Sequence, residues 1–272
     1  MAQMLPDLSY HICQALLACD PHKKAALARQ VYAYWSKDKL QHHFNHTPPT
    51  RPGRPEKPEL LAPGKMPKRR KAGSTSNRIA LLHAVCHIEL NAIDLALDIV
   101  ARFGTVMPTE FTTDWLKVAD DEARHFSMVN SRLQEMGSHY GALPAHDGLW
   151  ESSMATQDNL AARLAIVPMV LEARGLDVTP DMIARFEKFG DSQSAEILRI
   201  IYTEEVSHVA AGSKWFRFLA DKENKQHEDW FQTLVQHYFK GLLKPPFNVP
   251  ARDKANFPQD WYMPLAELLK TG

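Results

Sequence analysis

Asp121-Glu122-Ala123-Arg124-His125-Phe126 and, further on, Glu204-Glu205-Val206-Ser207-His208-Val209 each carry the spacing Glu-x-x-His. Residues three apart in an α-helix lie on nearly one face, so each motif can offer a carboxylate and an imidazole to a single point. The surrounding pattern says that this face is an inner one. Phe111, Trp115, Val118, Ala119, Val129, Leu133 and Met136 make a stripe that Glu122 and His125 interrupt. Ile197, Leu198, Ile201, Val209, Gly212, Trp215 and Phe216 make another, interrupted by Glu205 and His208. A carboxylate on a buried face is costly unless it is paired or bound to metal.

Two further acids sit in the same way. Glu89 lies among Val85, Ala92, Ile93, Ala96 and Val100, and Glu172 among Ala161, Leu164, Ala165 and Pro168. Neither is followed by a His three residues on. Carboxylate sites of ferritin-like bundles use this division of labour, one Glu from each of two helices and Glu-x-x-His from each of the other two. The offsets agree: Glu89 to Glu172, Glu122 to Glu205 and His125 to His208 are equal steps along the chain. The expected fold is therefore all-α, a four-helix bundle with two metal ions held by Glu89, Glu122, His125, Glu172, Glu205 and His208. Oxygen and imidazole donors suit iron or manganese, and the lack of thiolates speaks against a structural zinc. Two such ions would lie about 3.5–4 Å apart, with Glu122 and Glu205 bridging and Glu89 and Glu172 terminal.

Working outward, helices are expected over about 77–102, 109–137 with Thr109 as cap, 152–174 ending at Gly175, a shorter one capped by Thr179 with Pro180 first and Gly190 last, then 192–222 and 224–240. Residues 1–46 read as a helical extension broken near Asp20-Pro21. Residues 47–76, with Pro48, Pro49, Pro52, Pro55, Pro58, Pro63 and Pro67, read as an extended segment. It carries the basic run Lys65, Lys68, Arg69, Arg70, Lys71. Residues 77–222 are expected to form the bundle, and 223–272 a last helix and a Pro-rich aromatic tail. Lys plus Arg and Asp plus Glu are equal at 32 each, which speaks against a globally basic nucleic-acid binder. Cys13, Cys19 and Cys86 make no Cys-x-x-Cys pair. Neither a secretory signal nor a transmembrane run is legible, so a cytoplasmic protein is expected.

Around the ligands, Asp121 and Glu204 read as solvent-facing acids. His87, two residues from Glu89, should point away from the metals. Pro168 should disturb its helix one turn before Glu172.

The stretches His87-Ile88-Glu89-Leu90, Asp121 to Phe126, Leu171-Glu172-Ala173-Arg174-Gly175-Leu176-Asp177 and Glu204 to Val209, with Pro246-Phe247-Asn248 and Ala251-Arg252 in the tail, resemble those of a bacterial ferritin-like family of unknown function. The resemblance runs from about residue 50 and implies the bundle and the six ligands, without a reaction. A more distant likeness, in the order Glu, Glu-x-x-His, Glu, Glu-x-x-His, is to the di-iron tRNA hydroxylase. The expected activity is a di-iron oxidoreductase that uses O2 and an electron donor to oxidise or hydroxylate a small-molecule or RNA-borne substrate. The alternatives are iron handling as a ferroxidase, a manganese catalase-like enzyme, and an RNA-modifying hydroxylase in which the basic run meets phosphates.

Overall fold

The computed structural model describes residues 6–66 and 73–267. Among these it is all-α, with no strand and only two isolated bridges, Asp7 with Gln41 and Leu60 with Ala145. No described helix is long and apolar enough to cross a membrane. The chain forms two compact units, Met1–Trp150 and Glu151–Gly272.

Unit 1 begins with α1 (Leu8–Leu17) and α2 (Pro21–Trp35). Asp7 and Asp20 cap them by accepting the N–H groups of Ser9 and Lys23, and Pro21 opens α2, where its missing N–H costs nothing. Next come α3 (Thr75–Phe103), capped by Ser74, and α4 (Thr109–Glu135). Pro108, not Thr109, occupies the cap position of α4; Thr109 is already helical, and no side chain closes that end. A short 3-10 turn, Gly104–Val106, makes α3 and α4 a hairpin, and α2 lies against α4. Between residues 89 and 101 α3 is buried on every side, which marks it as the centre of the unit. Leu90, Ile93, Leu97, Phe111, Trp115 and Phe126 fill the core around it, each contributing roughly 1.5–3 kcal/mol by leaving water.

The Pro-rich segment is draped over α3. Gly53 donates its N–H to Leu16 O at 2.8 Å, so close that a Cβ on it would stand 2.3 Å from Leu17 O. Arg54 reaches from the segment to Asp94, which Lys24 also contacts at 2.5 Å, and to Asn91 at 2.6 Å. Arg102 donates to Pro49 O at 3.0 Å and to Asp98 at 2.8 Å. Lys65 ends a short exposed 3-10 turn; Lys68, Arg69, Arg70 and Lys71 lie outside the described residues.

In unit 2 the expected helix over 152–174 is broken. After α5 (Gly148–Ala155) the chain turns, and Asn159 caps α6 (Leu160–Ile166). From there one helix runs on: α6 passes into a π segment, Val167–Glu172, and then into α7 (Ala173–Lys188). Neither Gly175 nor Pro180 ends it, contrary to the expected stop at Gly175 and new start at Thr179. The reason is local. Pro180 lacks the N–H that would take the carbonyl of Leu176, and Asn248 Nδ2 donates to that carbonyl instead at 3.0 Å. Gly190, at φ +75°, turns the chain, and Asp191 caps α8 (Ser192–Lys222), which completes a second hairpin with α7.

As far as Glu267 the remaining chain is helical rather than an irregular tail. α9 (His227–Tyr238), α10 (Val249–Lys254) and α11 (Gln259–Glu267) follow, and Phe216 of α8 meets Trp230, Phe231 and Trp261 with ring centroids 5.3–5.9 Å apart. Arg252 is 2% exposed. It donates to both oxygens of Asp177, at 2.9 and 2.7 Å, and lies 4.4 Å from the centre of the Tyr262 ring. This forked pair pins the C-terminal helices to α7.

Two outcomes follow for stability. Asp177→Ala leaves the Arg252 charge buried without its partner and should cost about 3–5 kcal/mol, read from denaturant midpoints. Gly175→Ala, in mid-helix with nothing within 4 Å of the added methyl, should stabilise by about 0.5–1 kcal/mol.

Candidate metal centre

Helix α3 presents Glu89, and α4 presents Glu122 and His125. All three are buried, and their ligand atoms lie within 4.8 Å of one another. His125 Nδ1 stands 3.1 Å from Glu89 Oε2 and 3.4 Å from Glu122 Oε2. Burial pushes the imidazole pKa down, but the hydrogen bonds and charges of Glu122 and Glu89 outweigh it and lift the group to about 11. His125 is thus an imidazolium at neutral pH, the cation between two carboxylates. With both acids ionised, the three side chains alone carry one negative charge in excess. A divalent ion in place of the imidazolium proton would bring them to neutrality. The donors are hard oxygens and an imidazole nitrogen, a set that a divalent metal ion accepts. This buried Glu–His cluster can hold a metal ion.

Unit 2 carries the matching residues. Glu205 and His208, one turn apart on α8, approach to 3.5 Å between Oε1 and Nδ1. Glu172 is the last residue of the π segment, which packs against α8. His208 is buried, whereas Glu172 and Glu205 are half-buried rather than enclosed in an apolar stripe.

The neighbouring residues sort themselves by face. His87 points away from Glu89, as its position two residues earlier requires. Its Nδ1 lies 2.9 Å from Tyr140 Oη and its Nε2 3.0 Å from His146 O. Burial depresses its pKa to about 4, so it is neutral; a proton on Nε2 directed to His146 O leaves Nδ1 to accept from Tyr140. His83, whose Nε2 accepts the N–H of Gly141 at 3.0 Å, stacks on the same Tyr140 ring. Sequence reasoning missed this three-ring cluster, because Tyr140 lies far along the chain from His87, on a connecting loop.

Asp121, expected to face solvent, does not. It is 3% exposed, held by Lys117 at 2.5 and 2.6 Å and by Arg124 at 2.8 Å. The signal is present in the sequence: the two cations stand four and three positions from Asp121 on α4, a spacing at which opposite charges meet. Glu204 is half-buried. Pro168 does disturb its helix, as the π segment.

The raised pKa of His125 fixes the sign of a pH effect. Its pairing stabilises metal-free protein fully below pH 6.5, and that contribution declines as pH rises toward 11. Chelator-treated protein should therefore be less stable to denaturant at pH 9 than at pH 6, and His125→Asn should remove that part of the difference.

A profile described as "Protein of unknown function (DUF455)" matches residues 17–263. A relative from Haemophilus influenzae, described as "Uncharacterized protein", is 41% identical over 226 residues, which cover 80% of this chain and 78% of that one. No solved structure matches. The matched span takes in Glu89, Glu122, His125, Glu172, Glu205 and His208, and the chain belongs to the DUF455 family of proteins of unknown function.

Proposed function

We propose that this protein is a ferritin-like four-helix carboxylate bundle in which the two Glu/Glu/His triads together hold a pair of metal ions, iron by preference, and that it is an oxidoreductase using O2 to oxidise or hydroxylate a substrate. The observation that carries the reading is the buried cluster of Glu89, Glu122 and His125. Two carboxylates placed beside one imidazole inside a helical core are expensive as a structural device. They are well suited to a hard divalent cation. Unit 2 repeats the residue set at a constant offset, with Glu205 beside His208.

Each triad offers two carboxylates and one imidazole, fewer ligands than an octahedral ion takes. Glu89, Glu122 and His125 from unit 1 and Glu172, Glu205 and His208 from unit 2 would be the side chains that hold the ions. A ferrous pair held by these residues would supply electrons to O2. Glu89 and Glu122 provide the anionic half of unit 1, and His125 Nδ1 holds the proton that metal binding would displace. Glu205 and His208 provide the carboxylate and imidazole of unit 2 from successive turns of α8. Glu89, Glu122 and His125 are themselves at most 4% exposed, so water is kept from the unit 1 triad and its electrostatics are strengthened.

The test is elemental analysis of protein purified without chelators, followed by anaerobic Fe(II) loading. About two ions per chain are expected, with a sharp loss in Glu122→Ala and in His208→Ala. O2 uptake by the reduced, loaded protein should follow. No metal in the wild type after loading would overturn the reading, and so would full retention of two ions in both variants.

A further inference from the structure

Helix α8 carries Gly212 in the middle of a buried stripe. A Cβ built there would stand 2.6 Å from Pro168 Cβ and 2.7 Å from Pro168 Cγ. Those atoms belong to a rigid ring on the π segment, so the clash has no flexible side chain to absorb it. Glycine costs a helix interior stability relative to alanine, and here the cost is matched by this close approach.

The position of the contact gives it consequence. The turn at Gly190 makes α7 and α8 an antiparallel hairpin, so a step forward along the π segment is met by a step backward along α8. From Pro168, four residues forward lead to Glu172. From Gly212, four residues backward lead to His208, and seven to Glu205. Residues at these spacings share one helix face. The bond of Ala173 N–H to Pro168 O spans five residues rather than four, the widened turn of a π-helix, and it encloses the whole stretch between the proline and the acid.

We propose that Gly212 is a positioning residue. Its missing side chain seats Pro168 against α8, and this contact sets the register at which Glu172 stands opposite His208 for metal ligation. The inference rests on the reading of Glu172, Glu205 and His208 as ligands. A Cβ on Gly212 would have to push the ring away by about 1 Å to restore ordinary contact near 3.5–4 Å, whereas a metal–ligand distance tolerates about 0.2 Å.

The test is a titration of the full chain with Fe(II) under anaerobic conditions, read by calorimetry, together with melting temperatures of the same proteins. In Gly212→Ala, affinity for one of the two ions should fall about 10–100-fold, as when the support of a ligand is lost. Gly175→Ala, the same chemical change on the facing helix without a clash, should bind as the wild type does. The exchange variant Pro168→Gly/Gly212→Ala reopens the space. Its melting temperature should lie above the sum of the two single losses, and it should regain part of the lost affinity.

Wild-type affinity for both ions in folded Gly212→Ala overturns the proposal, and so does an equal loss in Gly175→Ala. Should Gly212→Ala fail to fold, Pro168→Gly alone decides: weakened binding of one ion supports the register, and unchanged binding overturns it. A wild type that takes up no metal overturns the ligand reading first and this inference with it. Metal loss at Glu122→Ala but none at Gly212→Ala removes the register alone.

Discussion

A carboxylate enclosed in a helical core needs donors or a cation, and the kind of cation that most of the buried acids meet separates structure from chemistry in this chain. Asp94 takes Lys24 and Arg54, Asp98 takes Arg102, Asp121 takes Lys117 and Arg124, and Asp177 takes Arg252. Lysine and arginine hold a charge that neutral pH does not remove, and their ion pairs join elements permanently: α2 and the Pro-rich segment to α3, the C-terminal helices to α7. Glu89 and Glu122 meet an imidazole instead. A proton on imidazole can be exchanged for another cation, so this is the one type of pairing here that a metal can enter without breaking the fold.

The two triads have equal spacing in sequence and unequal backbones. Glu89 sits on a regular helix of 29 residues that is buried all round at its centre. Glu172 closes a π segment begun at Val167 and is half-buried. The constant offset between the triads therefore reflects which residues are presented, not how the helix beneath them is wound. A π turn closes over five residues rather than four, and so alters the direction in which a side chain of given number points.

What could be read from the sequence was the part written in helical periodicity. The stripes that carry Glu89, Glu122 and His125 predict their convergence, and α8 begins and ends where its pattern does, at Ser192 and Lys222. Punctuation was less reliable. Pro180 and Gly175 resemble a helix end, yet the helix continues, because Asn248, remote from Leu176 in the chain, replaces the missing donor. The Tyr140 cluster and the clamp of Arg54 on Asp94 are likewise pairings across long separations, to which local pattern is blind. Asp121 is misread for another reason: an acid beside Glu122 reads as solvent-facing, although Lys117 and Arg124 at helical spacing give it a place inside.

The two prolines of the α6–α7 helix resolve their missing donors in opposite ways, and the difference bears on the acid between them. At Pro180 the defect is repaired: the freed carbonyl of Leu176 is taken by Asn248, whose N–H in turn donates to Asp177 Oδ1 at 2.9 Å, and the helix proceeds regularly. At Pro168 the defect is spread into a π turn and pressed against Gly212. Glu172 lies between a ring seated in a glycine notch on one side and the Asp177–Arg252 fork on the other. A half-buried carboxylate on a distorted turn would ordinarily be among the less well-fixed groups of a domain. Here both flanks of that carboxylate have fixed contacts, Pro168 against Gly212 before it and Asp177 with Arg252 after it.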